Sequence, residues 1–87
     1  MRNAKVILLG GPFDDQFVGI VDREGLWPDE IRVASGHEKN DEDKIDAATY
    51  VLDSMEKWGE SYILWFGSYV FRGMKSTAPT LITVWKE

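Results

Sequence analysis

The fold class of this 87-residue chain depends on one stretch, DEDKIDAATYVLDSMEKW, which runs from Asp41 to Trp58. Acidic side chains near its start are stabilised at the positive end of a helix dipole, and Asn40 or Asp41 can cap such a helix. Gly59 follows where a helix commonly ends on a left-handed residue. Four apolar residues of the stretch recur at helical spacing: Ile45, Ala48, Leu52 and Met55.

The alternative for this stretch is a strand over residues 47–56, which would make the protein all-β. A half-buried strand alternates apolar and polar side chains. That alternation fails at Val51 and Leu52, which are adjacent and both apolar. We therefore predict a helix over about residues 41–58.

Much of the remaining chain has the composition of strands separated by turns. β-Branched and large apolar side chains dominate five stretches, at 5–9, 16–21, 30–35, 61–66 and 80–85. Residues 69–71 either extend the fourth strand past a bulge at Gly67 or begin another strand, and residues 72–79 are predicted to form a loop. The chain is also too short to divide into two domains. The sequence predicts one α+β domain, residues 1–87, in which one helix packs on an antiparallel sheet of about five strands.

The connection between the first two predicted strands contains Gly10, Gly11, Pro12 and Asp14. Pro12 has its φ fixed near the value that the second residue of a type I turn needs, and Asp14 can bond to nearby backbone amides. A phosphate-binding loop is disfavoured, because no Gly-Lys-Ser/Thr motif follows and no helix begins behind the glycines. We interpret these residues as a structural hairpin turn.

The sequence offers few residues for catalysis or metal binding. It has no cysteine, and His37 is its only histidine. A nucleophile with its base would therefore have to be built from serine, lysine and carboxylates. The acidic run after His37 lacks the spacing of a calcium-binding loop and the further nitrogen or sulfur ligands of a zinc site. We predict no enzyme activity, no cofactor and no metal.

Charge and hydropathy argue against two classes of partner, nucleic acids and membranes. Ten basic and fifteen acidic residues give a net charge of −5. This sign disfavours direct binding of nucleic acid, whose affinity comes from neutralising phosphates. The apolar runs are shorter than a signal peptide or a membrane span requires. We expect a cytoplasmic protein with no membrane partner.

Aromatic residues are concentrated between residues 58 and 71. If a helix covers one face of the sheet, some of these side chains have no core to enter, and exposed Tyr and Trp commonly anchor protein interfaces. A core that absorbs all of them is equally compatible with the sequence, since small domains build cores from aromatic residues. The predicted partner-binding residues are Trp58, Tyr62, Trp65, Tyr69 and, from a separate loop, Trp27.

The stretch LLGGPFDDQFV (8–18), followed by EIRV (30–33), resembles a pattern in small uncharacterised proteins of actinobacteria and their phages. Those proteins often begin with a strand, a Gly-Gly-Pro-aromatic-Asp-Gly-Gln turn and a second strand. The resemblance covers about the first third of the chain, and Asp15 stands where those proteins have glycine. It implies a phage origin, hence the host cytoplasm, and no catalytic residues.

These observations predict a non-enzymatic, phage-type accessory protein that binds a host protein through an aromatic patch with acidic surroundings. The alternative is a homo-oligomeric structural or virion-associated protein whose aromatic residues bury against its own copies. Two further hypotheses rank below these: an acidic nucleic-acid mimic, and a small-ligand binder or hydrolase.

Overall fold

The computed structural model describes residues 2–61 and 63–86, and its regular structure consists of strands and two single turns of 3-10 helix, Gly11–Phe13 and Pro79–Leu81. The six strands are β1 (Asn3–Leu9), β2 (Phe17–Val21), β3 (Glu30–Ser35), β4 (Ile45–Trp58), β5 (Leu64–Thr77) and β6 (Val84–Lys86). Within the described ranges no helix could span a membrane.

The strands form one mixed sheet in the order β2-β1-β5-β4-β3-β6. The prediction of an antiparallel sheet is wrong, because β1 pairs in parallel with β5 and β3 pairs in parallel with β6. The sheet curves until its two edges face each other, and Lys86 Nζ lies 3.5 Å from the carbonyl oxygen of Phe17. The result is a nearly closed sheet with an inner and an outer side.

The predicted α+β class is also wrong, because residues 45–58 form β4 and not a helix. One extra residue explains why the helical pattern misled. Leu52 lies opposite Tyr69 and Ser54 opposite Ser68, so Asp53 forms a β-bulge. Inward side chains on β4 therefore fall at Ala48, Tyr50, Leu52 and then Met55, which imitates the spacing of a helix face.

The acidic segment before β4 is a turn and not the first turn of a helix. The side-chain oxygen Oδ1 of Asn40 accepts hydrogen bonds from the backbone N–H of Glu42 at 2.9 Å and of Lys44 at 3.1 Å. Asp43 adopts a φ of 63°, which no α-helix residue does. The polar side chain that could have capped a helix closes a loop instead.

The core fills the inner side of the sheet, where alternate residues of β1 to β5 point. Tyr50 and Tyr69 are the largest side chains in it and are fully buried. Aliphatic side chains surround them; those fully or almost fully buried are Val6, Leu8, Val18, Ile20, Ile31 and Val33. A second, smaller cluster gathers Ala34, Ile45 and Ala47 beneath Ile82 and Trp85.

The β1–β2 connection is a hairpin turn fixed to the core by one tyrosine. The Tyr50 hydroxyl donates to the carbonyl oxygen of Gly10 at 2.7 Å and accepts from the N–H of Phe13 at 3.1 Å. The Asp14 carboxylate accepts from the N–H of Gly10 at 2.6 Å. A side chain at Gly11, whose φ is 68°, would collide with the ring of Phe71. The Gly10–Asp14 stretch thus turns the chain and lets Phe71 pack against its backbone.

Candidate functional site

The structure does not bring the predicted partner-binding residues together on one surface. Tyr69 is fully buried on the inner side, and Trp27 and Trp65 are half-buried against the same core. Trp58 is on the outer side of β4 with 57% of its surface exposed. Tyr62 lies outside the described residues. The predicted set therefore divides between core and surface.

Trp27 and Trp65 form a cluster with Arg2 at one end of the core. The two indole rings are 5.5 Å apart between centroids, and the Arg2 guanidinium lies 4.9 Å from each ring. Arg2 also pairs with Asp22, since its Nε is 3.0 Å from Oδ2. Hydrogen bonds from the Arg2 backbone N–H and side chain lower the pKa of Asp22 below its ordinary value. The Arg2 guanidinium also donates to the carbonyl oxygen of Gly25 at 2.8 Å, so the cluster joins the start of β1 to the loop after β2.

Tyr69 is held beneath the sheet by its hydroxyl, which donates to the carbonyl oxygen of Pro28 at 2.6 Å. Burial raises the pKa of Tyr69 to about 12, with a smaller contribution from the negative charge of Asp29. A neutral phenol that is already bonded within the core is suited to packing and not to contact with a partner.

Six of the ten exposed large apolar side chains in the described part of the chain lie on the outer side of four adjacent strands. The other four lie elsewhere: Leu26, Ile63, Met74 and Leu81. Side chains on this side alternate with the inward ones, so Phe66 and Leu64 of β5 point out where Trp65 points in. We define the outer patch as Ile7, Leu9, Phe17, Val21, Trp58, Leu64 and Phe66; all but the half-buried Ile7 are exposed.

An open groove of about 510 Å³ runs through the outer patch between Trp58, Phe66 and Ile7. Its floor carries a short hydrogen-bond network at the β4 bulge. The Oγ atoms of Ser54 and Ser68 are 2.8 Å apart, and Ser68 donates to the Asp53 carboxylate at 3.1 Å. The bulge therefore places two hydroxyls and a carboxylate beside exposed aromatic rings.

The polar groups of this groove are suited to hydrogen bonding with a partner. Hydroxyls both donate and accept hydrogen bonds, and ionised carboxylates accept them. The histidine lies elsewhere: His37 stacks on Trp85 of β6 at the far edge of the sheet, with ring centroids 4.4 Å apart. Apolar walls with a few convergent polar groups are typical of a recognition surface.

Sequence reasoning missed most of the outer patch because it grouped the aromatic residues by their position along the chain. The signal was present in the alternation of β5, where Leu64 and Phe66 share one side and Trp65 the other. Phe17 and Val21 alternate in the same way on β2 around Gly19.

Comparisons of the chain with protein-family models, with curated proteins and with solved structures give no match. The functional argument therefore rests on the geometry of the outer patch.

Proposed function

We propose that this protein is a non-enzymatic binding module that docks a partner protein on its outer patch. The observation that carries the proposal is that six exposed large apolar side chains share the outer side of β2, β1, β5 and β4, with Lys5 beside Phe66 among them. Exposed apolar side chains grouped on one face are typical of an interaction surface.

The partner that fits is a protein surface with an apolar centre and a basic border. Asp53 and Glu56 stand beside the groove, and the chain as a whole carries a net charge of −5. Opposite charge on the partner would speed association and fix its orientation. The resemblance of the first third of the chain to phage proteins adds the expectation that this partner is a host protein.

Within the outer patch, Trp58 and Phe66 are the residues expected to carry most of the affinity. Large aromatic side chains near the centre of an interface dominate binding energies. Both line the groove, while Trp27, Trp65 and Tyr69 support the sheet from its inner side.

The experiment is affinity capture from host lysate, using the wild-type protein, Phe66→Ser and a control, Leu26→Ser. Leu26 is 73% exposed in the loop between β2 and β3, so its change removes a similar apolar surface from elsewhere. We expect one host protein to be retained by the wild type and by Leu26→Ser and lost by Phe66→Ser. The captured protein, once purified, should show the same ranking in a titration.

Capture of the same proteins by Phe66→Ser and by the wild type would contradict the proposal, provided that circular dichroism shows both to be folded. Equal loss in Phe66→Ser and Leu26→Ser would also contradict it, because the effect would then follow general surface hydrophobicity and not the outer patch.

A second candidate is self-association through the same outer patch, and one row of residues favours it. Lys5 and Glu56 flank Phe66 on the two neighbouring strands. A two-fold axis along β5 at Phe66 would set Lys5 of each copy against Glu56 of the other, as a self-complementary interface requires. The observation supports assembly of the protein with its own copies.

Sedimentation velocity over a wide concentration range separates the two candidates. Self-association predicts that the mass falls on dilution, that Lys5→Glu weakens assembly, and that the exchange Lys5→Glu with Glu56→Lys restores it. A monomer at every concentration would overturn the second candidate and leave the first intact.

A further inference from the structure

A slot remains where the sheet fails to close. It lies between the free edge of β2 and residues 80–83, with a volume of about 400 Å³. β6 has three residues and pairs with β3 only at Val33–Ser35. The first residues of β3, which include Glu30, and the free edge of β2 therefore both face the slot.

The free edge of β2 directs backbone groups into this slot. In an antiparallel pair, residues alternate between bonding their partner and pointing away from it. The bonds from Leu8 N–H to the Gln16 carbonyl and from Asp22 N–H to the Arg2 carbonyl fix that alternation. Val18 and Ile20 therefore bond β1, and the N–H and C=O groups of Phe17, Gly19 and Val21 point to the free edge.

The bond between Lys86 Nζ and the Phe17 carbonyl oxygen is consistent with this assignment. No strand in the described part of the chain pairs with β2 on this side. Gly19 and Val21, which line the slot, thus present two N–H and two C=O groups at strand spacing.

The opposite wall presents backbone groups in the same way. On β3, the bond from Leu52 N–H to the Asp29 carbonyl places the groups of Glu30 and Arg32 on the side away from β4. Arg32 uses its groups on Thr83, with its carbonyl accepting from Thr83 N–H at 2.9 Å. Glu30 is two residues before Arg32 on β3, so its backbone groups point to the same side, and it also lines the slot.

We propose that this slot binds an extended segment of a partner protein, which adds to the free edge of β2 as a further strand. Backbone hydrogen bonds at Gly19 and Val21 would supply the affinity, as in other cases of strand addition. A lone strand fits because residues 80–83 bound the slot opposite β2. The β2 edge of a second copy would bring its own β1 and its own residues 80–83 into the same space.

The sequence that fits alternates apolar and polar residues. On the inner side the added strand would lie beside Ile20, which is almost fully buried, and on the outer side it would face solvent next to Gly19. An ideal Cβ at Gly19 has no atom within 4 Å. This site uses the backbone edge of β2, whereas the outer patch uses outward side chains. Val21 belongs to both surfaces, but the strand-addition site does not rest on the function proposed for the patch.

The test selects random nonapeptides on the purified wild-type protein from a displayed library and measures the enriched peptides by fluorescence anisotropy. Gly19→Pro removes the N–H that points into the slot and keeps the β1 ladder, since proline is tolerated on an edge strand. Gly19→Ala is the matched control, because it keeps the N–H and adds a methyl group in open space. We expect the enriched peptides to alternate apolar and polar residues. They should bind Gly19→Ala with the same affinity as the wild-type protein, and Gly19→Pro with roughly tenfold lower affinity.

Amide hydrogen exchange on the wild-type protein provides a second measurement that needs no variant. Bound peptide should slow exchange at Gly19 and Val21. The proposal is overturned if no alternating peptide is enriched, if folded Gly19→Pro binds as well as Gly19→Ala, or if exchange at these two amides is unchanged. Peptides whose binding is abolished by Phe66→Ser would also overturn it, because they would then occupy the outer patch.

Discussion

The inner and outer sides of β4 and β5 both carry large aromatic residues, but they hold them in different ways. On the inner side, Tyr50 and Tyr69 are fully buried, and each hydroxyl bonds to a backbone carbonyl of a distant loop. On the outer side, Trp58 and Phe66 are exposed, and Phe66 has no polar atom with which to bond. Each inner tyrosine is held by its backbone and by the hydrogen bond of its hydroxyl, whereas the outer side chains are held only by their backbone.

This difference separates residues that stabilise the domain from residues free to bind. A buried tyrosine orders both its own strand and the loop that its hydroxyl reaches. An exposed ring costs the domain little when it is removed and contributes most when a partner covers it. The comparison therefore predicts opposite consequences for substitutions on neighbouring strands.

The largest loss of stability is expected from Tyr69→Ala. It leaves a cavity beneath the sheet and an unpaired carbonyl at Pro28, so we expect the free energy of unfolding to fall by about 3–5 kcal/mol. Urea denaturation followed by tryptophan fluorescence measures the change. A loss below about 1 kcal/mol would mean that the inner side is not the stabilising one, and the comparison would fail.

A smaller loss of stability, which depends on pH, is expected from Tyr69→Phe. Removal of the hydroxyl bond should cost about 1 kcal/mol at neutral pH. The pKa of Tyr69 is raised to about 12, so the folded state holds its proton while the unfolded state loses it above about 10. Wild-type stability should therefore fall as pH rises from 10 to 12.

In Tyr69→Phe this alkaline loss should be reduced but not abolished, because burial also raises the pKa of Tyr50. Denaturation midpoints at several pH values from 8 to 11.5 would show the two slopes. Parallel curves for wild type and variant would contradict the assignment of Tyr69 to a buried, neutral state.

The smallest effect on stability is expected from Trp58→Ala. More than half of this side chain is exposed, and its contribution through the cross-strand pair with Leu64 is under about 1 kcal/mol. Binding, in contrast, should be lost in the capture experiment described for Phe66→Ser. A loss of stability that matched Tyr69→Ala would show that Trp58 belongs to the core, and the outer patch would have to be redrawn.

The parts of the fold that the sequence predicts well are the local ones. The β1–β2 hairpin follows from turn residues at 10–14, and β3 occupies the residues predicted for it, because its own alternation is regular. The pairing of β1 with β5 could not be predicted, since no local signal links Ala4 to Trp65. A parallel neighbour leaves no turn in the sequence to mark it.

The failure at β4 has a different origin. Asp53 adds one residue to the strand, and this shift gave Ala48, Leu52 and Met55 the spacing of a helix face. A strand interpretation would have needed the irregularity to be recognised, and bulges have weak sequence signals. The predicted loop at 72–79 was also wrong, because β5 continues to Thr77 past an irregularity at Arg72, where Thr49 pairs with Gly73 and Tyr50 with Phe71.

The candidate site could be predicted only in part. Trp58 was identified from its chemistry, whereas Phe66 was passed over in favour of Trp65 and Tyr69. Which side of β5 faces the core depends on partners that come from the start of the chain, including Arg2 and Pro28. Those contacts exist only once the sheet is assembled.

The parallel pairing of β1 with β5 also sets the order in which the chain acquires its structure. β4 and β5 are connected by a short loop, so they can pair as a local hairpin. β1, in contrast, pairs with residues that are more than half the chain away in sequence. Closing so long a loop is the slow, entropically costly event in such topologies. We expect the hairpin of β1 and β2 to remain undocked until β5, the partner of β1, has left the ribosome. During that interval the short Gly10–Asp14 turn keeps these two strands joined to each other.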